Sequence, residues 1–187
     1  KADILEYAEQ LIKDGADIID IGGESSRPGA KAASAKEEIS RVIPAIKLLA
    51  KRIKVPISVD TAKPEVAGRA LDSGAVMVND ISGLRDPLMA KVVSRYEAGV
   101  VIMHMQGIPR TMQNNPRYAS LVDEIIVFLD KAIRRAEEAG VKREKVVVDP
   151  GIGFGKTVEQ NLKILNSLEE FKCLGRPILV GPSRKSF

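Results

Sequence analysis

The sequence is poor in the residues that mark several common functional classes. It has no tryptophan, only three tyrosines and four phenylalanines, and a single cysteine and a single histidine. One cysteine excludes an intrachain disulfide and favours a reducing compartment, so we expect a cytoplasmic protein. One histidine and one cysteine cannot supply the ligands of a usual zinc site. Scarce aromatics, with no cluster of lysine and arginine, argue against nucleic acid as a partner.

Long apolar runs are also missing. No apolar stretch approaches the 18 residues of a membrane span, and no charged-then-apolar leader is present, so neither a membrane nor secretion is expected. What remains is ordinary for a globular domain: 44% hydrophobic residues, 29% charged residues and a net charge of +4, which suits an anionic substrate. We expect one domain over residues 1–187. Because the chain opens in a helical pattern, we also expect its true N-terminus to be missing.

One unit recurs along the chain: an amphipathic helix, a glycine, an apolar strand and then polar residues. Six strands are predicted, within residues 14–24, 55–60, 73–83, 98–107, 139–149 and 177–181. Four glycines stand where a helix should end, a position that often needs a positive φ: Gly15, Gly74, Gly99 and Gly140. The strands are short and almost continuously apolar, which is typical of a parallel sheet covered by helices on both faces.

Helix starts are marked by capping residues. Three pairs have the spacing of a capping box: Ser34 with Glu37, Thr157 with Gln160, and Ser120 with Asp123. Asp86 followed by Pro87 predicts an N-cap with proline in the first turn, and Pro64 fits the same first-turn position. No linker or low-complexity tract divides the chain, so the sequence predicts a single α/β domain.

Alternating strands and helices fit either an open doubly wound sheet or part of a (β/α)₈ TIM barrel. Polar residues end every predicted strand: Asp20, Asp60, Asn79 with Asp80, His104, Asp149, and residues 183–185. An open sheet concentrates its ligand residues at one switch point, whereas a barrel draws on nearly every strand end around one mouth. The pattern favours the barrel. A complete barrel needs roughly 250 residues, so we expect this chain to lack about the first strand and the last strand with its helices.

Residues 146–157, VVVDPGIGFGKT, resemble a nucleotide-binding P-loop but depart from it in register. The P-loop consensus requires its first glycine at position 150, where this chain has proline, and Asp149 would face the bound phosphate. Proline has no N–H to donate. The stretch therefore predicts some other use for an aspartate at the end of a strand, with Lys156 capping its own loop or lying in solvent.

Six segments in order carry a family resemblance: DIIDIGGESSRPGA, ISVDTAKPEVAGRAL, VNDISG, VIMHMQGIPRTMQ, VVDPGIGFGKTVEQNLKIL and ILVGPSRKSF. Together they resemble the dihydropteroate synthase family of pterin-binding TIM barrels, over almost the whole chain. The resemblance implies that the six strands are the second to seventh of the barrel. It places a first strand with an Asn-containing loop before residue 1, and an eighth strand with an Arg-x-His motif after residue 187.

The resemblance also implies a reaction. The family condenses a dihydropterin methyl diphosphate with p-aminobenzoate to give dihydropteroate and pyrophosphate, and sulfonamides imitate p-aminobenzoate. Mg²⁺ assists, with its ligands expected in the missing N-terminal loop and on the diphosphate, and none within this chain. The expected partners are these small molecules, and a homodimer is compatible with the family.

Site residues follow from the matching motifs. The resemblance assigns pterin diphosphate binding to Ser26, Asp60, Asn79, Met103, Asp149, Phe154 and Lys185. Within this set, Asp149 accepts two pterin N–H groups, a geometry well suited to a carboxylate, and Lys185 and Asp60 are the expected catalytic groups. Aminobenzoate and anion binding is assigned to Arg27, Ser183 and Arg184. Ser26 stands where the family more often has threonine, which keeps the hydroxyl.

Each of these residues also has a purely structural interpretation. Asp149 and Asp60 fit capping of the next helix, Asn79 fits a loop-backbone contact, and His104 fits a satisfied core histidine. Two other functions stay open: a pterin-binding methyltransferase domain that passes a methyl group from a reduced folate to a corrinoid, and a non-catalytic pterin-binding paralogue. The SSRPGA and GPSRKSF segments resemble the synthase more closely.

Overall fold

The computed structural model describes residues 2–27 and 29–185. Five strands are formed: β1 (Ile19–Gly22), β2 (Ile57–Asp60), β3 (Met77–Asp80), β4 (Gly99–Met103) and β5 (Val146–Asp149). Six α-helices alternate with them: α1 (Ala2–Lys13), α2 (Ala35–Leu49), α3 (Pro64–Asp72), α4 (Pro87–Arg95), α5 (Leu121–Glu138) and α6 (Val158–Asn166). Two 3₁₀ helices, Arg143–Lys145 and Leu168–Leu174, flank β5 and α6. None of the described helices is both long and apolar enough to cross a membrane.

The sheet is parallel throughout, and its strands lie side by side in chain order, β1-β2-β3-β4-β5. A doubly wound sheet reverses its strand order at a switch point, whereas consecutive units of a (β/α)₈ barrel do not. No reversal occurs among the described strands. The predicted α/β barrel fold is confirmed.

The prediction of a sixth strand over residues 177–181 is wrong, because this segment forms no strand longer than a single bridge residue. It contributes one parallel bridge, between Val148 and Ile178. Val148 N donates to Pro177 O at 3.0 Å, and Leu179 N donates to Val148 O at 2.8 Å. On its other side this segment pairs with no strand of the described chain, and Leu179 and Val180 are exposed. Without a second partner or an apolar cover, the ladder ends after one residue.

Side chains alternate between the two faces of the sheet. One face packs on the helices and carries the main core, with Val59, Val78 and Ile102 essentially inaccessible. The opposite face is polar on β1 to β3, where it presents Asp20, Ser58, Asp60 and Asn79. Farther along, a separate buried cluster of Met103, Met105 and Met112 makes this face apolar. The face opposite the helices is thus polar on β1 to β3 and apolar around the methionine cluster.

Helix caps mostly follow the sequence. The capping boxes of Ser34 with Glu37 and of Thr157 with Gln160 both form. Asp86 caps α4 ahead of Pro87, and Pro64 stands in the first turn of α3. The box predicted at Ser120 is wrong. Ser120 Oγ contacts the Asp123 carboxylate, and Glu124 Oε1 instead accepts the backbone N–H groups of Ala119, at 2.6 Å, and Ser120, at 2.9 Å.

Three of the four helix-ending glycines have the expected positive φ: 105° at Gly15, 113° at Gly74 and 91° at Gly140. Gly99 does not. After α4 the left-handed residue is Glu97, at φ 48°. Gly99 instead starts β4 beside Met77, whose Cε would lie 3.0 Å from a Cβ at position 99. Close packing, not a turn, accounts for that glycine.

Candidate active site

The carboxyl ends of the strands bring the predicted polar residues to one rim. Asp60 at the end of β2 is the Cα partner of Asn79 on β3. Met103 at the end of β4 is the Cα partner of Asp149 on β5. Because parallel strands end at the same edge, residues distant in sequence become neighbours here. Four of the predicted pterin residues therefore share one edge of the sheet.

Asp60 is a carboxylate without a donor. Among the described residues it makes no side-chain hydrogen bond, and its neighbour on β1 is Gly22, where a Cβ would already be in van der Waals contact with Asp60 Oδ2, at 3.4 Å. Burial raises the pKa of Asp60 to about 7, and the nearby carboxylates of Asp20, Glu38, Asp80 and Glu24 add to the shift. N–H groups of a neutral ligand could donate hydrogen bonds to the Asp60 carboxylate and so stabilise its charged form. The capping interpretation of Asp60 finds no support in its contacts.

Asn79 and Asp80 point to opposite faces of β3 and differ in role. Asn79 Nδ2 donates to Asp20 Oδ2 at 3.0 Å, which is a side-chain contact and not the loop-backbone contact considered from the sequence. Asp80 is fully buried, and its two oxygens accept the N–H groups of Ser82 and Leu84, both at 2.8 Å. Asp80 therefore shapes the turn after β3, while Asn79 stays at the rim.

Asp149 is almost fully buried, with 7% of its surface exposed. Its Oδ1 accepts the N–H of Gly151 at 2.7 Å, and its other oxygen makes no hydrogen bond within the described chain. Burial raises the pKa of Asp149, while the Gly151 N–H, Lys185 and Lys156 oppose the rise. One oxygen thus binds the turn after β5 and does not cap the next helix, which Thr157 caps, and the other oxygen remains to accept a ligand donor.

Lys185 and Phe154 lie beside Asp149. The Lys185 ammonium donates to the Ile152 carbonyl and lies 4.2 Å from the centre of the Phe154 ring. Burial lowers the pKa of Lys185, and the Asp149 carboxylate opposes that shift. Phe154 also packs, with Ile81, against the methionine cluster that includes Met103. A flat ring held at Asp149 would meet apolar side chains from this cluster together with one fixed positive charge.

Two cavities open at the rim. The larger, about 910 Å³, is lined by Ser26, Arg27, Phe154, Ser183, Arg184 and Lys185, among others. The smaller, about 270 Å³, is lined by Ser26, Asp60, Lys63 and Arg85, among others. The larger cavity therefore brings together all three residues predicted to bind anions. Asn79, Met103 and Asp149 line neither cavity. Met103 and Asp149 are buried, with 2% and 7% of their surfaces exposed, whereas Asn79 is partly exposed at the rim.

The sequence interpretation missed a charge cluster that joins three segments. Lys63, just before α3, donates to Glu38 Oε2 at 2.7 Å and also contacts the Glu24 carboxylate in the loop after β1. Glu38 is 1% exposed, and its Oε1 is buried without a partner in the described residues. The available signal was the position of Glu38, one turn before Val42 on the buried stripe of α2.

Lys156 caps its own loop, the first of the two roles predicted for it from the sequence, and donates to Gly151 O and Phe154 O, both at 2.9 Å. It does not lie in solvent, because only 3% of its surface is exposed. Its ammonium lies 3.1 Å from His104 Nδ1, and His104 is the buried, satisfied histidine that was considered from the sequence.

Comparison with known proteins decides the family. The family model described as pterin binding enzyme matches residues 1–187. This chain belongs to the pterin binding enzyme family. Among curated relatives, the dihydropteroate synthase of Synechocystis sp. is 48% identical over 98% of this chain, and that of Escherichia coli K12 is 45% identical over 98%. The chain spans 64% and 65% of the length of these two relatives.

Solved structures agree with this family membership. The dihydropteroate synthase of Yersinia pestis, crystallised as a sulfonamide drug complex, superposes with a TM-score of 0.94 at 41% identity, over 97% of this chain and 66% of that one. The enzyme of Xanthomonas albilineans with 4-aminobenzoic acid gives 0.91 at 42% identity, over 97% and 64%. The resemblance drawn from the sequence motifs is confirmed.

Proposed function

We propose that the protein carrying this chain is a dihydropteroate synthase, which condenses (7,8-dihydropterin-6-yl)methyl diphosphate with p-aminobenzoate to give 7,8-dihydropteroate and pyrophosphate. The observation that carries the proposal is the buried Asp149 carboxylate, with one oxygen left to accept a donor, beside Lys185 and Phe154. It occurs in a chain 45–48% identical to proteins named dihydropteroate synthase. Sulfonamides would then be inhibitors.

Pterin recognition, on this proposal, uses the two donor-poor carboxylates. A pterin presents adjacent N–H donors on its amino-amide edge, and the free oxygen of Asp149 accepts from that edge. Asp60 accepts from another ring nitrogen, and Asn79 offers Oδ1, since its Nδ2 already donates to Asp20. Met103 and Phe154 supply apolar contacts to the ring faces. Lys185 lies on the ring carbonyl side as a fixed positive charge.

The second substrate fits the larger cavity. Its lining includes the cations Arg27, Arg184 and Lys185 together with the Ser26 and Ser183 hydroxyls. A benzoate carboxylate and a diphosphate both need N–H and O–H donors, and guanidinium groups bind such anions with two parallel hydrogen bonds. We assign aminobenzoate and anion binding to Arg27, Ser183 and Arg184, with Ser26 directed at the diphosphate.

The chemistry is a substitution at the methylene carbon of the pterin. The aminobenzoate nitrogen forms the new C–N bond, the C–O bond to the diphosphate breaks, and the amine then loses a proton. No protein nucleophile takes part. The contribution of the protein is to hold both reactants in line and to stabilise the departing anion and the charge that develops on the pterin, where Lys185 and Asp60 act.

Mg²⁺ assistance is part of the proposal, with its ligands on the diphosphate and on the loop expected before residue 1. Within residues 2–27 and 29–185, no group of three or more His, Cys, Asp or Glu side chains has an arrangement that could hold a metal ion. These residues therefore do not fit a protein-made metal site, and no step of the proposed reaction depends on one.

The proposal includes a compartment and an oligomeric state. Cys173 is the only cysteine, which favours a reducing cytoplasm, and a homodimer fits the proposal.

A titration separates this function from its rivals. A sulfonamide should bind the intact protein when pterin and pyrophosphate are present and bind weakly or not at all when they are omitted. A corrinoid methyltransferase should ignore the sulfonamide and respond to a methylated folate. A non-catalytic paralogue should bind pterin and form no dihydropteroate from the two substrates. Absence of sulfonamide binding under both conditions would contradict the synthase.

A further inference from the structure

A buried lysine that the proposed chemistry does not use lies beneath the loop after Asp149. Lys156 donates to the carbonyl oxygens of Gly151 and Phe154, both at 2.9 Å, and its Nζ lies 3.1 Å from His104 Nδ1. A longer contact, 3.5 Å, reaches the His104 carbonyl. An ammonium has three N–H groups, so the three short contacts account for all of them.

His104 acts as an acceptor in this arrangement. Burial, followed by the charges of Lys156 and Arg85, lowers the pKa of His104 to about 2, so the ring is neutral. A neutral ring that accepts at Nδ1 carries its proton on Nε2. The ring is held edge-on to Phe128, with 4.9 Å between ring centroids. His104 N also donates to Asp149 O at 2.9 Å, which ties β4 to β5 at this point.

The loop held by Lys156 is also held by the two residues proposed to bind pterin. Asp149 Oδ1 accepts from Gly151 N, and the Lys185 ammonium donates to Ile152 O. Three further side chains complete the set: Asn161 Oδ1 accepts from Gly153 N at 2.8 Å, Gln113 Nε2 donates to Gly153 O at 3.1 Å, and the Tyr118 hydroxyl donates to Gly155 O at 2.8 Å. Any shift of this loop therefore moves Asp149 and Lys185 together.

Burying a lysine ammonium costs free energy, because the charged form loses its hydration. Burial lowers the pKa of Lys156 to about 7, Asp149 opposes that shift and Lys185 adds to it. Replacing buried ionic groups by well-packed apolar ones is often neutral or stabilising. A lysine at this position is therefore better explained by the three acceptors that it holds in place than by stability alone.

We propose that Lys156 is a positioning residue for pterin binding, and that His104 holds its ammonium under residues 151–155 so that Asp149 and Lys185 keep their binding geometry. The inference rests on the proposed function for the identity of the ligand. It extends that function to Lys156 and His104, which act through Asp149 and Lys185. The lysine of the P-loop-like sequence thus faces inward onto carbonyl oxygens, not outward onto a phosphate.

The experiment uses four variants of the intact protein. Lys156→Met removes the ammonium, and His104→Leu removes its acceptor. His104→Asn keeps an oxygen acceptor near the position of Nδ1, and Lys163→Met is the control at an exposed lysine of α6. Calorimetry measures pterin affinity, and hydrogen exchange measures protection of the amides in residues 151–155 without ligand.

We expect Lys156→Met and His104→Leu to lose pterin affinity by about tenfold or more, the effect of one hydrogen bond to a charged group. His104→Asn should stay within about threefold of wild type, with Lys163→Met unchanged. Amide protection in the loop should fall in the same two variants. Wild-type affinity in folded Lys156→Met would overturn the proposal.

If Lys156→Met does not fold, equal affinities of the Leu and Asn variants at position 104 would overturn it instead. A wild-type protein that binds no pterin would overturn the proposed function, whereas unchanged loop protection in every variant would overturn the positioning role alone.

Discussion

Asn79 donates from Nδ2 to Asp20 Oδ2 at 3.0 Å, across the intervening strand β2. The contact joins β3 to β1 and uses one of the two N–H groups of the Asn79 amide, and no hydrogen bond forms between Asn79 and Asp60, its Cα partner, in the described residues. Asp60 is left among carboxylates, and its pKa rises to about 7 through burial first and Asp20 second. Near neutral pH, Asp60 therefore retains a proton in a large fraction of the molecules, and it loses this proton when a ligand offers N–H groups.

We compare the free energy of unfolding of Asp60→Asn with that of wild type at several pH values. The difference should favour the variant more at pH 8 than at pH 5. The folded-state pKa of Asp60 is raised, so the folded protein holds a proton that the unfolded chain releases between about pH 4 and pH 7. Over that window this group lowers the wild-type free energy of unfolding as pH rises, by at most about 1.4 kcal/mol per pH unit. Asparagine removes the effect. Urea unfolding at pH 5, 6.5 and 8 measures it.

The matched control for that prediction is Asp17→Asn, at an exposed carboxylate just before β1. Its difference from wild type should not grow across the same pH range. A stability gain for Asp60→Asn that is equal at pH 5 and pH 8 would show that Asp60 does not titrate near neutrality in the folded protein.

Lys63→Met should be strongly destabilising. Lys63 is the partner of Glu38, which is 1% exposed, and of Glu24. Removing one member of a buried pair leaves an uncompensated charge, which costs about 3–5 kcal/mol. Lys142→Met is the control, because Lys142 pairs with Glu97 at 2.8 Å on the surface, where such pairs contribute about 0–1 kcal/mol. Equal losses in the two variants, measured by chemical unfolding, would contradict the interpretation of Glu38 as a buried carboxylate that depends on Lys63.

The strand-end residues and the Lys63 cluster differ in how far the sequence could predict them. The strand ends were predictable because each is a local pattern, and a parallel sheet brings all such ends to one edge. Lys63 lies 25 residues from Glu38 and 39 from Glu24, so nothing local marks that cluster. The Ser120 cap failed for a related reason. Asp123 fits the spacing, but Glu124, one residue farther, reaches the free N–H groups.

Glycines illustrate the same limit. The sequence predicted that Gly99 would end a helix, whereas its neighbour Met77 on β3 explains why no side chain fits there. Gly151, in the turn after Asp149, is a second case, because a Cβ there would lie 1.9 Å from His104 O. Such contacts depend on tertiary packing and leave no sequence spacing to find.

Gly151→Ala should therefore be much more damaging than Gly29→Ala. Both glycines have a positive φ, 74° and 77°, so both variants carry the cost of about 1–2 kcal/mol for a left-handed alanine. Nothing lies within 4 Å of a Cβ at position 29, whereas at position 151 the His104 carbonyl must move. Thermal unfolding should give a clearly lower midpoint for Gly151→Ala. Similar midpoints for the two variants would mean that the turn after Asp149 is not packed against β4.

Asp149→Asn tests the central assignment of the site. Asparagine keeps an oxygen for the Gly151 N–H, so the turn should survive and the protein should fold. Its amide nitrogen then replaces the free carboxylate oxygen and turns a donor toward the pterin N–H groups. We expect pterin binding to weaken by about 1.5–3 kcal/mol, the contribution of a hydrogen bond to a charged group. Calorimetry with the intact protein measures the loss.

The control for Asp149→Asn is Asp86→Asn, which makes the same chemical change at the N-cap of α4, where asparagine caps as well as aspartate. Its pterin affinity should equal that of wild type. If Asp149→Asn also kept wild-type affinity while the sulfonamide titration still required pterin, the ring would have to bind through Asp60 and Asn79 instead. Asp60 would then accept from the amino-amide edge of the pterin, the role assigned here to Asp149. Calorimetry on Asp60→Asn distinguishes the two arrangements, because that variant should lose more pterin affinity than Asp149→Asn only if Asp60 holds this edge.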